Sequence, residues 1–180
     1  MNRTRHPAAT GLEPAAFRDD FKAAMAQLAG GVVVVTTQDP EGRPRGFTAT
    51  SFCSVSMDPP LVLVCLATNS SSFPAFTACQ DFAVSLLRQD QGAVATRFAT
   101  TGADKFRPED TTTTPRLLPA VAGALAVLDC EVRDRHPAGD HVILVGAVLA
   151  VRPGQGDPLV YHDRSFRRLR HPELPRLPRT

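Results

Sequence analysis

Short runs rich in β-branched and apolar residues, at 32–37, 46–55, 61–66, 82–87, 125–133, 142–151 and 159–162, follow one another with turn formers between them and no long helical pattern. Runs of this length and composition read as six or seven strands. Strands that do not alternate with long helices cannot build a doubly wound parallel sheet. The expected fold is therefore mainly β, a closed or partly closed antiparallel barrel with a few short helices. The breakers fit this reading: Asp39-Pro40 and Gly42 suit a turn after the first strand, and Asp58-Pro59-Pro60 ends the second.

Phe17, Phe21, Met25 and Leu28 recur at intervals of three and four, which predicts a helix from Pro14 to the stop at Gly30-Gly31, capping the barrel with one apolar stripe. Ser70-Ser71-Ser72 ahead of Phe73-Pro74 predicts the N-cap of a second, short helix, and Asp90 the cap of a third running through Phe98. A chain of 180 residues suits one domain, expected at 14–169. Segments 1–13 and 170–180, the latter with three prolines, lack apolar periodicity and are expected to be loose tails.

Lys+Arg 20 against Asp+Glu 18, with the basic residues scattered except at Arg164, Arg167, Arg168 and Arg170, argues against nucleic acid as a partner. The longest apolar run, 142–151, is too short to span a bilayer, and no signal-like segment opens the chain, so no membrane partner and a cytoplasmic location are expected. Cys53, Cys65, Cys79 and Cys130 lie in apolar stretches without Cys-x-x-Cys spacing, which predicts buried free thiols. Cys130, His136 and His141 lack metal-ligand spacing, so no metal site is expected. Gly154-Gln155-Gly156 runs into Asp157-Pro158 and is no dinucleotide fingerprint, and nucleophile-elbow spacing is absent.

Two segments carry more chemistry: Gly46-Phe47-Thr48-Ala49-Thr50-Ser51-Phe52 and Asn69-Ser70-Ser71-Ser72-Phe73. Hydroxyls and main-chain donors beside apolar strands can hold a phosphate and a polar ring edge above a hydrophobic floor. They can equally face solvent and cap a helix, and residue chemistry alone leaves the two readings level.

The order of these segments resembles the flavin reductase family, the small reductase components of two-component flavin-dependent monooxygenases. The resemblance spans 17–169 and rests on Phe17-Arg18, Leu28-Ala29-Gly30-Gly31-Val32, the 46–52 segment, Asp58-Pro59-Pro60-Leu61-Val62, Arg97-Phe98, Asp104-Lys105-Phe106, Gly139-Asp140-His141 and Pro158-Leu159-Val160-Tyr161. It implies an FMN-binding split β-barrel of Greek-key type that forms a homodimer, and hydride transfer from NADH or NADPH to FMN or FAD. It also implies a monooxygenase partner that receives the reduced flavin.

Carried over by position, Gly46, Phe47, Thr48, Thr50 and Ser51 line the flavin ring and ribityl chain, with Gly46 and Ala49 small enough for close approach. Cys65 and Ala67 form the neighbouring strand end. Ser71 and Ser72 contact the phosphate, and Arg97 and Phe98 close that end. Lys105 either assists there or forms a surface salt bridge. His141 stands beside the nicotinamide as the catalytic candidate, with Tyr161 nearby. Asp163-Arg164 occupies positions where many relatives carry Arg-Gly. The alternatives are a non-enzymatic flavin-binding or redox-sensing module, and an oxidase similar to pyridoxamine-phosphate oxidase.

Overall fold

Seven strands form one antiparallel sheet whose two edges are joined by only three residues. The computed structural model describes residues 14–169. In chain order these form α1 (Pro14–Ala26), β1 (Gly30–Gly31), β2 (Val33–Gln38), β3 (Pro44–Ala49), β4 (Cys53–Met57), β5 (Pro60–Ala67), α2 (Phe73–Ala78), β6 (Asp81–Leu86) and α3 (Gly92–Ala99). Then come β7 (Thr111–Thr113), β8 (Pro119–Val121), β9 (Ala126–Ala138), β10 (His141–Pro153), β11 (Val160–His162) and β12 (Ser165–Arg167). The main sheet runs β3-β2-β6-β9-β10-β5-β4; β1-β11-β12 and β7-β8 are small companions.

Laid flat, the edge strands β3 and β4 would stand about 29 Å apart at the usual strand spacing. The link 50–52 spans at most about 14 Å from Ala49 to Cys53 when fully extended. The sheet must therefore roll until its edges face each other, leaving a seam between β3 and β5. This is the partly closed barrel expected of the sequence.

Two cores explain the patterning. Val33, Val35, Phe47, Val62, Val64 and Phe82 fill the barrel, while Val32, Val34, Leu87, Val94, Phe98 and Val121 pack outside it under α3 and β8. β2 is covered on both faces, so its run is continuously β-branched instead of alternating. Its buried hydroxyls are answered: Thr37 Oγ1 donates to the Asp81 carbonyl at 2.7 Å, and Thr36 Oγ1 bonds the Pro119 carbonyl. Ser85 Oγ accepts from Val121 N–H at 3.0 Å, and these bonds dock β8 onto the barrel.

Several expectations are corrected. The first helix stops at Ala26, and Gly30-Gly31 form β1 instead of the helix end. Its stripe does not cap the barrel: Phe17, Phe21, Met25 and Leu28 are all exposed. The 46–55 run is two strands bent at 50–52, and the 134–140 turn is only Gly139-Asp140 between two thirteen-residue strands. Asp90 is no cap; it pairs with Arg88 at 2.7 Å, and Gln91 occupies the cap position of α3. Of the cysteines only Cys130 is buried, Cys65 and Cys79 are half-buried and Cys53 is exposed. Burial and the adjacent Asp129 push the Cys130 thiol up to about 12. No helix among the described residues is long and apolar enough to cross a membrane. The tails expected at 1–13 and 170–180 lie outside the described residues.

Candidate functional site

A groove of about 530 Å³ opens along the seam. It is lined by Phe47, Thr48, Thr50 and Ser51 at the end of β3, Cys65 and Ala67 at the end of β5, Ser71, Phe98, Lys105 and His141. The structure thus brings together ten of the fourteen residues singled out in the sequence.

The seam leaves backbone groups available. β4 follows β5 only as far as the Cys53–Leu63 pair, and beyond it the Cys65 N–H and C=O meet the Ser51 hydroxyl at 3.2 and 3.3 Å. Peptide groups alternate sides along a strand, so Ala67 turns its N–H to this same edge. On its other side β5 pairs Ala67 with His141. The methyl side chain of Ala67 leaves room there for the imidazole.

His141 begins β10 directly after the Gly139-Asp140 turn, where Gly139 has φ +64°. A two-residue turn with positive φ at its first position suits glycine. The turn is pinned to β5, because Thr68 N–H and Oγ1 donate to the Asp140 carbonyl at 3.0 and 3.1 Å. Asp140 Oδ1 stands 2.7 Å from His141 Nδ1, and this bond together with the imidazole's charge holds the Asp140 carboxyl below its ordinary range. An ionised carboxylate only accepts, so Nδ1 carries the proton and Nε2 remains the free ring nitrogen.

Lys105 Nζ donates to the Gly46 carbonyl at 3.0 Å, and Ser72 Oγ donates to the same oxygen at 2.9 Å. Lys105 is half-buried, and burial lowers its pKa. It forms no ion pair among the described residues. Lys105 and Ser71 also border a second groove, of about 550 Å³, which Gly46 and Ser72 line.

Gly46 is glycine for packing: a Cβ there would lie 2.9 Å from Phe98 Cε1, Thr36 Cγ2 and the Val35 carbonyl. The helix α2 begins at Phe73 as expected, but Ser72 does not cap it with its side chain. Arg97 lines neither groove; its guanidinium pairs with Asp110 and donates to the Lys105 carbonyl at 3.4 Å, bracing the 104–110 segment. Tyr161 lies beyond Thr50 in adjoining cavities, edge-to-face with Phe166 at 5.6 Å. Asn69 and Ser70, named in the sequence only as part of the 69–73 segment, also line the main groove, as does Thr101, which the sequence did not single out. The turn chemistry of Asn69-Ser70 after a strand was the signal for two of them; Thr101 carried none.

The flavin reductase like domain matches residues 25–170. The chain is 51% identical over 144 residues to the actinorhodin polyketide dimerase of Streptomyces coelicolor, covering 79% of this chain and 81% of that protein. It is 43% identical over 169 residues to the NADH:riboflavin 5'-phosphate oxidoreductase of Streptomyces pristinaespiralis, covering 92% and 94%. The NADH:FAD oxidoreductase of Streptomyces globisporus C-1027, solved with NAD and FAD fragments, superposes with a TM-score of 0.81 at 33% identity, covering 90% of this chain and 98% of that one. Reductase components of monooxygenases are also among the matches. With more than half of its length matched and relatives this similar over most of both chains, the protein belongs to the flavin reductase like family.

Proposed function

We propose that this chain is an NAD(P)H-dependent flavin reductase whose seam groove takes FMN or FAD and which supplies reduced flavin to a partner monooxygenase. The groove fits such a ligand. It has a half-buried ammonium without an acidic partner among the described residues, the Ala67 N–H on the seam edge, and hydroxyl-rich segments at 48–51 and 69–71 beside Phe47 and Phe98. When bound, the two cofactors supply the chemistry, a hydride passing from nicotinamide to the flavin ring.

The protein's residues bind and orient. Lys105 and the Ser70–Ser71 segment meet the phosphate end, and the 48–51 backbone with Ala67 N–H meets the polar ring edge. His141 Nε2 stands on the donor side, its ring fixed by Asp140. Direct hydride transfer requires orientation above all, so a site without an acid–base triad is sufficient. The single observation that carries the reading is that Lys105 and His141 line one seam groove.

We also propose a cytoplasmic homodimer. The exposed stripe of α1, together with exposed Val55 and Met57 on β4, is an apolar surface that a second copy would cover. Four free cysteines suit a reducing compartment.

Mixing the protein with excess FMN or FAD and NADH or NADPH, and following nicotinamide absorbance, tests the activity. Catalytic consumption is expected. Tight flavin binding without consumption would favour the sensor module, and oxidation of pyridoxamine phosphate without added nicotinamide would favour the oxidase. Light scattering behind size exclusion tests the dimer, and a monomer that turns over would overturn it.

A further inference from the structure

The hairpin between β11 and β12 turns on Asp163 and Arg164, with φ +46° and +57°. A two-residue turn of this kind requires positive φ at both central positions, and its preferred second residue is glycine. Arginine there sets its Cβ against the backbone, so the turn is strained where glycine would relax it. A strained residue held in place is a pointer to function.

The side chain explains what is gained. Arg164 is exposed and makes no hydrogen bond or ion pair among the described residues. It borders two cavities, of about 410 and 550 Å³, which both touch Thr50 and so adjoin the flavin groove. The first has the edge-to-face pair Tyr161 and Phe166 in its wall; the second lies under the end of α1, with Met25 and Ser51. Arg164 is the one charged side chain lining either cavity among the described residues, and no carboxylate opposes it there.

We propose that Arg164 binds a phosphate of the reduced nicotinamide dinucleotide, holding the donor's non-reacting half in the space beside Tyr161 and Phe166. The inference rests on the reductase reading and deepens it by naming a donor contact outside the flavin groove. A guanidinium matches phosphate oxygens with charge-assisted hydrogen bonds, and an aromatic ring face beside it suits a nucleoside base.

The test is steady-state kinetics at saturating FMN with NADH and with NADPH, for the wild type, Arg164→Gly and Arg164→Lys. Arg164→Gly is expected to raise the KM for the donor about tenfold, the loss of one charge-assisted hydrogen bond, with kcat falling less than about twofold. Arg164→Lys keeps the charge and should fall between. Equal shifts for NADH and NADPH identify the diphosphate as the contact, and a shift for NADPH alone identifies the 2′-phosphate. Donor KM values within about twofold of wild type, or a matching rise in the KM for FMN when FMN is varied at saturating donor, would overturn the proposal. Glycine suits the turn, so the variant should fold with an unfolding midpoint at or above that of wild type. Calorimetric titration with NAD⁺ in the presence of FMN reads the same contact without turnover. Failure of this contact is thereby separable from failure of the reductase reading.

Discussion

The Ser51 hydroxyl bridges the seam to Cys65 in both directions, accepting from its N–H at 3.2 Å and donating to its carbonyl at 3.3 Å. One side chain thus replaces a rung of the sheet at the point where β4 no longer accompanies β5. Ser51→Ala should lower the unfolding free energy by about 1 kcal/mol and weaken flavin binding, because the 50–52 bend is released. Ser51→Thr retains the hydroxyl and should restore most of both. Denaturant unfolding and FMN titration check this, and an alanine variant as tight and as stable as wild type would show the bridge to be incidental.

His141→Ala should raise the KM for NADH about tenfold while changing the affinity for FMN far less, because His141 lines the groove and its ring is held through Nδ1 by Asp140. Asp140→Asn should give a weaker version of the same effect. The Asp140 carboxyl lies below its ordinary value in the folded chain, so the bond is fully formed above that ordinary value and is lost as pH falls through the lowered one. A pH profile of the donor KM in wild type and Asp140→Asn reads this directly.

Lys105→Met should weaken FMN by about tenfold or more and leave riboflavin, which has no phosphate, nearly unaffected. Equal losses for both ligands would return Lys105 to a purely structural role, tying its segment to the Gly46 carbonyl. Ser71→Ala should show a smaller phosphate-dependent loss. Ser72→Ala should act through stability instead, since its hydroxyl is buried on Gly46.

Acid should loosen the β2–β3 hairpin. Burial works to raise the Asp39 carboxyl, but hydrogen bonds from Arg43 and Arg45 outweigh it and lower the group from 3.8 to about 2. A depressed pKa contributes stability that is present above about 4 and lost as pH falls from there to about 2. Thermal unfolding followed across that window should fall more steeply in wild type than in Asp39→Asn.

Much of this was legible in the residues, and the gaps have physical causes. The β-branched run at 32–37 marked a strand buried on both faces, and Ser-Ser-Ser before Phe73-Pro74 marked where α2 begins. Pro119–Val121 is docked by bonds from Ser85 and Thr36 of the barrel, and Thr111–Thr113 pairs with it in turn, a long-range arrangement that local pattern cannot display. The stripe of α1 was read as core because periodicity reports that a helix has an apolar face and is silent on what covers it. Arg97 matched a motif by position, yet the acidic residue that turns it away, Asp110, lies thirteen residues along the chain. Arg164 was noticed as a departure from relatives, but its strain and its empty surroundings exist only in three dimensions.

The three-residue link between β3 and β4 bears on how such a site tolerates change over time. A barrel closed all the way round would have to break ladder bonds to admit a ligand. Here the opening lies where ladder rungs were never formed, and a peptide group such as the Ala67 N–H is presented there by the chain's course, with the Ser51 hydroxyl as a side-chain bridge to Cys65. Recognition carried largely by main chain survives the drift of neighbouring side chains. One scaffold can accordingly diversify at positions such as Thr50 or Arg164, retuning its donor, its acceptor or its partner, while the seam itself stays fixed.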